Sequence, residues 1–494
     1  MGFSQALSGV NAASQQLDAI GNNIANSQTK GFKSSSVQFA DVYAGSKIGL
    51  GTKVSGVLQD FANGTLETTG RNLDVGISGD GFLRFSQGNE VGYSRNGQLT
   101  MTTEGYLANA QGAYLTGYNV SNFNSLDTSA TVPTGGLPEV IQLPGDSMIA
   151  KATQNASAAI DLDASSAVPT DNNGNARPFN AANSATYNYS TSTSVIDTQG
   201  NAHNLQMYFV RADQDANGGE LENSWKVETR VSLGENNTFP KSTNNLDGDP
   251  VFSRNPRGRN GGNGEYSVRA DGTDYIATVT GTTPRTNAAG DVTGYTGGRI
   301  SYAAVLDDKM LSFTANGQLS GISTNGGLDF DNTTSAGYTF DPQNGSEALD
   351  FDFDFAGSSQ TAQAFATNSP NQDGYAAGQL VGIAVEEDGL IVGNYSNDQR
   401  VGLGRVTVAD FANPEGLTPR GDNLWAETSS SGQAVMGVAG SGRYGSLQAG
   451  TLEASNVDLT EELVDLIIAQ RNFQANTNTI KTQDEVLQTV VNLR

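Results

Sequence analysis

The chain's only histidine, His203, stands between Ala202 and Asn204 in what reads as the approach from a turn to a strand. One imidazole in a chain without cysteine is too little for a transition-metal site or a histidine-centred catalytic triad. Asp213, Asp215, Asn217 and Gly218 are spaced like the start of a calcium loop. That loop needs a bidentate glutamate at its twelfth position, where Ser224 stands, so the segment reads as a solvated hairpin tip. Gly440, Gly442 and Gly445 match a dinucleotide fingerprint by letter. The fingerprint works only between a strand and an opening helix, and 446–455 is polar and glycine-containing, which reads as a joint. Glu386 and Glu387 are adjacent carboxylates that point apart on a strand. These residues assemble no catalytic, cofactor or metal site, so the expectation is a protein that is not an enzyme and carries no cofactor.

The composition is consistent with this. The 494 residues are enough for two to four domains. Sixty glycines, 36% hydrophobic and 8% aromatic residues make a lean interior with many turns, which suits an all-β body better than buried parallel strands. Fifty-two acids against 27 lysines and arginines set the formal charge at -25, with the acids scattered. That charge favours solubility and argues against nucleic-acid binding, which needs a basic footprint. The absence of cysteine excludes disulfides. The first residues, Met1 to Leu7, lack the basic and apolar regions of a secretory signal, and no stretch is apolar enough for a membrane helix. On these signals alone the chain reads as cytoplasmic.

The two ends have a different period from the middle. Phe3, Ala6, Val10, Ala13, Leu17, Ile20 and Ile24 fall at alternating steps of three and four, a narrow stripe on a helix that stops at Asn26. At the other end Asp458 and Glu461 read as a capping box. A stripe then runs through Leu459, Leu466, Phe473, Ile480 and Leu487, with Leu463, Gln470, Thr477, Asp484 and Val491 as its companion position. Seams this narrow need partners. The two helices can pair with each other, with other copies of the chain, or with both.

The middle reads as antiparallel β throughout. Asn96-Gly97 and Asn316-Gly317 predict tight hairpins with two positive φ angles, and Glu104-Gly105 and Asp388-Gly389 predict further ones. Leu349 to Phe355 alternates phenylalanine with aspartate, the pattern of a half-buried antiparallel strand. The stretch from about 235 to 305 reads as loop-rich. The fold expected is multidomain: long terminal α-helices forming a coiled-coil domain, and nested, hairpin-rich all-β domains.

The end segments also carry a resemblance. Ser8 to Asn26 with Lys30-Gly31-Phe32-Lys33, and Leu452 to Leu463 with Ile468 to Asn476, are similar to the N- and C-terminal signatures of the bacterial flagellar rod and hook proteins. Gly70 to Phe82 resembles a segment common to that whole family. Asp197 to Asn204, Tyr208 to Val210 and Val392 to Asn397 resemble the hook members, while Phe411 to Leu417 and Gly421 to Trp425 suit rod and hook alike. The resemblance covers about 1–150, 185–232 and 371–494. It implies a structural subunit of a hollow, flexible helical tube that transmits torque from rod to filament. The implied domains are 1–70 with 451–494 for polymerisation, 71–150 with 372–450 as an inner β domain, and 151–371 as an outer one with room for an extra subdomain at 235–305. Subunit contacts are then expected at Phe3, Val10, Leu17, Ile20, Ile24, Leu459, Leu463, Leu466, Phe473, Ile480 and Leu487. The implied partners are further copies of the chain, the flagellar rod, the hook cap, the hook–filament junction proteins and the type III export apparatus, with neither nucleic acid nor membrane insertion. Export without a cleaved signal would replace the cytoplasmic reading by an extracellular one. A distal rod or junction subunit, and an extracellular β-domain adhesin, are the alternatives.

Overall fold

Period-two patterning governs the middle of the chain, and the structure, a computed structural model, turns it into sheet. It describes residues 3–492 except 43–50, 89, 122–130, 144, 146, 215–219, 235–252, 255–263, 271–272, 281–282, 287–291, 297–298 and 324–329. The chain divides into two compact units, Met1–Met148 with Gln379–Arg494, and Ile149–Gly378.

The first unit holds both helices, α1 (Phe3–Ala25) and α2 (Leu459–Asn492). After α1 comes an antiparallel hairpin, Ser35–Asp41 with Thr52–Gln59. The main sheet runs through Gly378–Val385, Leu390–Tyr395, Arg400–Asp410, Tyr114–Asn119, Phe82–Gln87 and Glu90–Ser94, and ends in Leu424–Ala426 and Thr418–Gly421. Its central strand, Arg400–Asp410, buries Val401, Leu403, Val406 and Val408, so apolar burial fixes its place. Phe82, Tyr93, Phe411 and Trp425 pack edge to face beside it. The chain then closes on itself: Leu66–Thr68 pairs with Thr451–Glu453, and Val75–Ser78 with Ser446–Ala449.

The second unit packs a mixed sheet (Ser335–Phe340, Leu349–Asp354, Asn155–Asp163, Ser359–Thr361, Ala366–Gln372) against a larger antiparallel one. One core joins them, with Ile160, Phe209, Trp225, Phe353 and Phe355 fully buried. Leu349, Phe351 and Phe353 point inward while Asp350 and Asp352 stay exposed, as the alternation requires. Its antiparallel partner is Ser335–Phe340, but its other neighbour, Asn155–Asp163, runs parallel. The all-antiparallel expectation fails here because a long excursion, not a hairpin, separates the two strands, so no turn dictates their direction.

Two further expectations are corrected. Within the stretch expected to be loop-rich, Gly264–Ala270, Thr273–Thr280 and Arg299–Val305 join the larger sheet, and Thr283–Thr286 pairs with Val292–Thr296. Short alternating runs such as Tyr266, Val268 and Tyr275, Ala277, Val279 carry that pairing despite the glycines around them. Asn96-Gly97 is not a hairpin turn: neither residue has a positive φ. Asn96 Oδ1 instead accepts from the Gln98 amide, and a Cβ on Gly97 would lie 1.9 Å from the Val75 carbonyl oxygen. This glycine serves close backbone approach. Asn316-Gly317 does turn a hairpin, with positive φ at Gly317 alone. Gly105 and Gly389 also have positive φ, each between paired strands.

Gly97→Ala should therefore destabilise the first unit by more than about 2 kcal/mol in urea unfolding. Gly56→Ala, where nothing lies within 4 Å, should stay within about 0.5 kcal/mol. Equal effects would contradict the close-approach account.

Candidate assembly surface at the joined chain ends

The helices pack side by side and antiparallel. Asn23 of α1 donates to Glu462 of α2 at 2.7 Å, while Gly9, about four turns earlier in α1, lies against Asn476. A Cβ on Gly9 would come within 2.7 Å of the Asn476 amide, so the small residues of α1 let the backbones approach. The buried line of α1 is Ala6, Ala12, Ala13, Ile20 and Asn23. On α2 the covered line is Glu462, Leu466, Ala469, Phe473, Asn476, Ile480 and Gln483.

The expected seam residues thus separate. Ile20 is buried within the chain; Val10, Leu17, Ile24, Leu466, Phe473 and Ile480 are half-buried. Phe3, Leu459, Leu463 and Leu487 are exposed. The flank that α1 covers, Glu462, Ala469, Asn476 and Gln483, stands one residue before the expected companion line, of which Thr477 is half-buried and Leu463, Gln470, Asp484 and Val491 are exposed. Either flank of Leu466, Phe473 and Ile480 satisfies heptad spacing. The flank carrying Ala469 permits the closer approach to α1, and Leu463, Val464, Ile467 and Ile468 are left as an exposed apolar ridge.

Polar groups fix this register. Asn23 donates to the Ser35 carbonyl and accepts from the Ser35 amide, tying α1 to the hairpin as well as to Glu462. Burial pushes the Glu462 carboxyl up, opposed by the Asn23 bond and reinforced by Asp465 and Glu461. Asp458 Oδ1 caps α2 by accepting from the Thr460 and Glu461 amides at 2.8 and 3.3 Å. Below the helices, Lys33 Nζ donates to Glu453 Oε1 at 2.7 Å and to the Ala62 carbonyl at 2.6 Å, all but shut off from solvent. Arg95 Nε lies 3.0 Å from Glu453 Oε2, an ion-pair contact without hydrogen-bond geometry. The Arg95 terminal nitrogens donate to the Gly81 and Gly79 carbonyls at 2.8 Å. Burial lowers the Lys33 ammonium against the pull of Glu453, and lowers the Arg95 guanidinium likewise. Asn456 accepts from the Ser34 amide and donates to the Asp60 carbonyl.

Asn23, Lys33, Arg95, Glu453 and Asn456 did not emerge from apolar periodicity, because their roles are polar. The one available signal was charged and amide residues interrupting the end segments beside glycine.

The residues first considered for chemistry lie elsewhere. His203 is buried, its Nε2 3.0 Å from Asp197 Oδ2 and its ring edge-on to Phe340. Burial disfavours charge on Asp197, but bonds from His203, Asn344 and Asn201 outweigh it and hold the carboxyl well below its usual range. The group is a turn clamp: Asp197 also accepts from the Gln199 and Asn201 amides. Residues 215–219 of the calcium-like segment lie outside the described residues, and Ser224 is buried in a strand. Gly440, Gly442 and Gly445 lead into the strand Ser446–Ala449, not a helix. Glu386, next to the exposed Glu387, is 3.2 Å from Arg400. Among the described residues no group of three or more His, Asp or Glu is placed to hold a metal.

Four family models match the chain. They are Flagella basal body rod protein at 4–33, Flagellar hook protein FlgE/F/G D1 domain at 76–155, Flagellar basal body protein FlaE D2 domain at 161–375, and Flagellar basal body rod FlgEFG protein C-terminal at 448–493. The chain is 40% identical to the flagellar hook protein FlgE of Escherichia coli, with 100% of each chain covered. Identity and coverage are the same for the FlgE of Salmonella typhimurium. The FlgE of Borreliella burgdorferi is 28% identical, over 99% of this chain and 98% of that one.

Removing Glu453 leaves two buried cations uncompensated, so Glu453→Gln should cost about 3–5 kcal/mol in urea unfolding of the first unit. Lys33→Met should cost less, since Arg95 still pairs with Glu453. The Asp197 carboxyl is depressed in the fold, so its contribution is present above the unfolded carboxylate range and lost as pH falls. The second unit should lose stability below about pH 4, and Asp197→Asn should flatten that loss in acid melting curves.

Proposed function

Because the chain belongs to the flagellar hook protein family, we propose that its joined ends build the core of a polymer and its two β-rich units build the wall outside it. The chain is a structural subunit of the bacterial flagellar hook. The single observation that carries this is the 40% identity to hook proteins over the full length of both chains.

The finer reading concerns how copies meet. The terminal helices of neighbouring subunits pack together as a coiled coil lining a hollow tube, through the exposed ridge Leu463, Val464, Ile467 and Ile468, with Phe3, Leu459 and Leu487. What supports it is that Leu463, Val464, Ile467 and Ile468 are exposed on the face of α2 away from α1, where burial by another helix would contribute about 1.5–3 kcal/mol each. The 71–150 and 372–450 segments form an inner domain and 151–371 an outer one; the division of the chain at Met148/Ile149 and Gly378/Gln379 supports that boundary. The protein has no catalytic role. Its contacts are with its own copies and, at the ends of the tube, with rod, cap and junction subunits; it leaves the cell through the type III export channel. The tube bends as a universal joint because its outer surface is polar and its contacts exchangeable.

Leu463→Asp with Ile467→Asp should leave monomer melting unchanged and abolish tubes in electron micrographs. Phe473→Asp should lower helix content as well, since Phe473 also packs on α1. Normal tubes from the double variant would refute the ridge as a contact; parent tubes should be curved and supercoiled.

A further inference from the structure

The first unit is built from both ends of the chain, Met1–Met148 and Gln379–Arg494, with the whole of the second unit, Ile149–Gly378, inserted between them. The second unit is closed by its own residues. One core joins its two main sheets, and at its neck Lys151 bridges to Tyr375 while Asp373 accepts from the Gln154 and Asn155 amides. The early part of the first unit is closed only by the far end of the chain. Leu66–Thr68 has Thr451–Glu453 as its one strand partner among the described residues, and Val75–Ser78 has Ser446–Ala449. Phe82–Gln87 and Tyr114–Asn119 both pair with Arg400–Asp410, and the rings of Phe61, Phe82 and Tyr93 pack on Phe411 and Trp425. Lys33 and Arg95 are buried, and among the described residues Glu453 is the one carboxylate within salt-bridge distance of either. Asp60 and Asp80 pull on them more weakly than Glu453 does.

We propose that the chain folds out of sequence order: Ile149–Gly378 first, then Met1–Met148 together with Gln379–Arg494 in one cooperative step that waits for Glu453. Loop closure favours this order. While the second unit is unfolded, joining Thr68 to Thr451 closes a loop through the entire insertion. Once it has folded, the Lys151–Tyr375 neck has already brought the two arms of the first unit together, and the loop left to close is far shorter. Burial of charge favours the same order. Without Glu453 the body can close around Lys33 and Arg95 only by burying two cations that have lost their shared counter-charge. Without 446–453, the strands Leu66–Thr68 and Val75–Ser78 have no ladder for their backbone groups. The N-terminal strands therefore gain little by forming early. The joint acts as a check on completeness: the segment synthesised first is held open until a residue near the other end joins it, and only then do α1 and α2 come into register. This device is a property of the single chain and does not depend on how copies meet.

Pulsed hydrogen exchange, read by mass spectrometry while the full-length chain refolds from urea, tests the order. Peptides from Asn155–Asp163, Ala202–Gln214 and Leu349–Asp354 should gain protection about tenfold or more ahead of the first unit. Peptides covering Val75–Ser78, Phe82–Gln87 and 446–453 should then gain it with a single rate constant. Protection of the N-terminal strands ahead of 446–453, or of the first unit ahead of the second, overturns the proposal. Glu453→Gln should slow the later step by about tenfold or more and leave the earlier one within about twofold of the parent. Parental rates for both steps in that variant overturn the proposal as well. If the variant never completes the later step, native-state exchange of the parent chain decides. Val75–Ser78, Phe82–Gln87 and 446–453 should open together, with opening constants within about threefold, while the second unit stays protected. N-terminal strands that keep their protection while 446–453 exchanges would show that they stand without the far end, and the proposal would fall.

Discussion

Lys33, Arg95 and Glu453 come from three separate stretches of chain and meet out of water. Each alone would be a buried charge costing several kcal/mol; the one carboxylate offsets part of the cost of both cations only if all three stretches are in place. The desolvation is visible in the chemistry of the cations, both of which burial drives toward their neutral forms while Glu453 resists. The surrounding backbone completes the joint. Gly31 donates to the Glu453 carbonyl, Gly64 to its carboxylate, and Ser34 to Asn456. The segment after α1 and the segment before α2 are therefore clamped to each other and to the β body at one point.

That clamp sets the geometry of the helices. From Lys33 back to Ala25 and from Glu453 forward to Leu459 the connections are short, so the helices leave the joint side by side. Asn23 then meets Glu462, and the antiparallel register follows along the rest of the pair. The seam uses glycine and alanine from α1, which brings the backbones close but occupies only one flank of α2. The larger apolar residues of α2 are left outward. A helix pair stabilised from below by ionic and amide bonds can keep such a ridge uncovered without losing its register. A subunit that must hold one shape alone and bury more surface on assembly needs that separation of roles.

The turn chemistry was only partly legible. Asn-Gly is the same dipeptide at 96–97 and 316–317, yet one serves close approach to Val75 and the other a hairpin with a single positive φ. Local propensity permits both, and the neighbouring backbone chooses. The strand from Leu349 was legible in its inward and outward faces because alternation is a property of one strand. Its parallel partner was not, because pairing across the long excursion between residues 163 and 349 is a property of two. The segments around Tyr266 and Tyr275 were masked by glycine and asparagine until the larger sheet supplied partners for them.

The sequence by itself determined that the ends are amphipathic helices, that the middle is sheet, and which family signatures bracket the chain. Those are properties of spacing and residue type, and they survive without knowing any contact. Tertiary structure alone decided which flank of α2 is taken by α1 and which is left exposed, because both flanks satisfy the same period. It also decided that His203 and Asp197 clamp a turn, and that Lys33, Arg95 and Glu453 hold the ends. Polar roles of that kind depend on burial and distance, which a one-dimensional pattern does not carry.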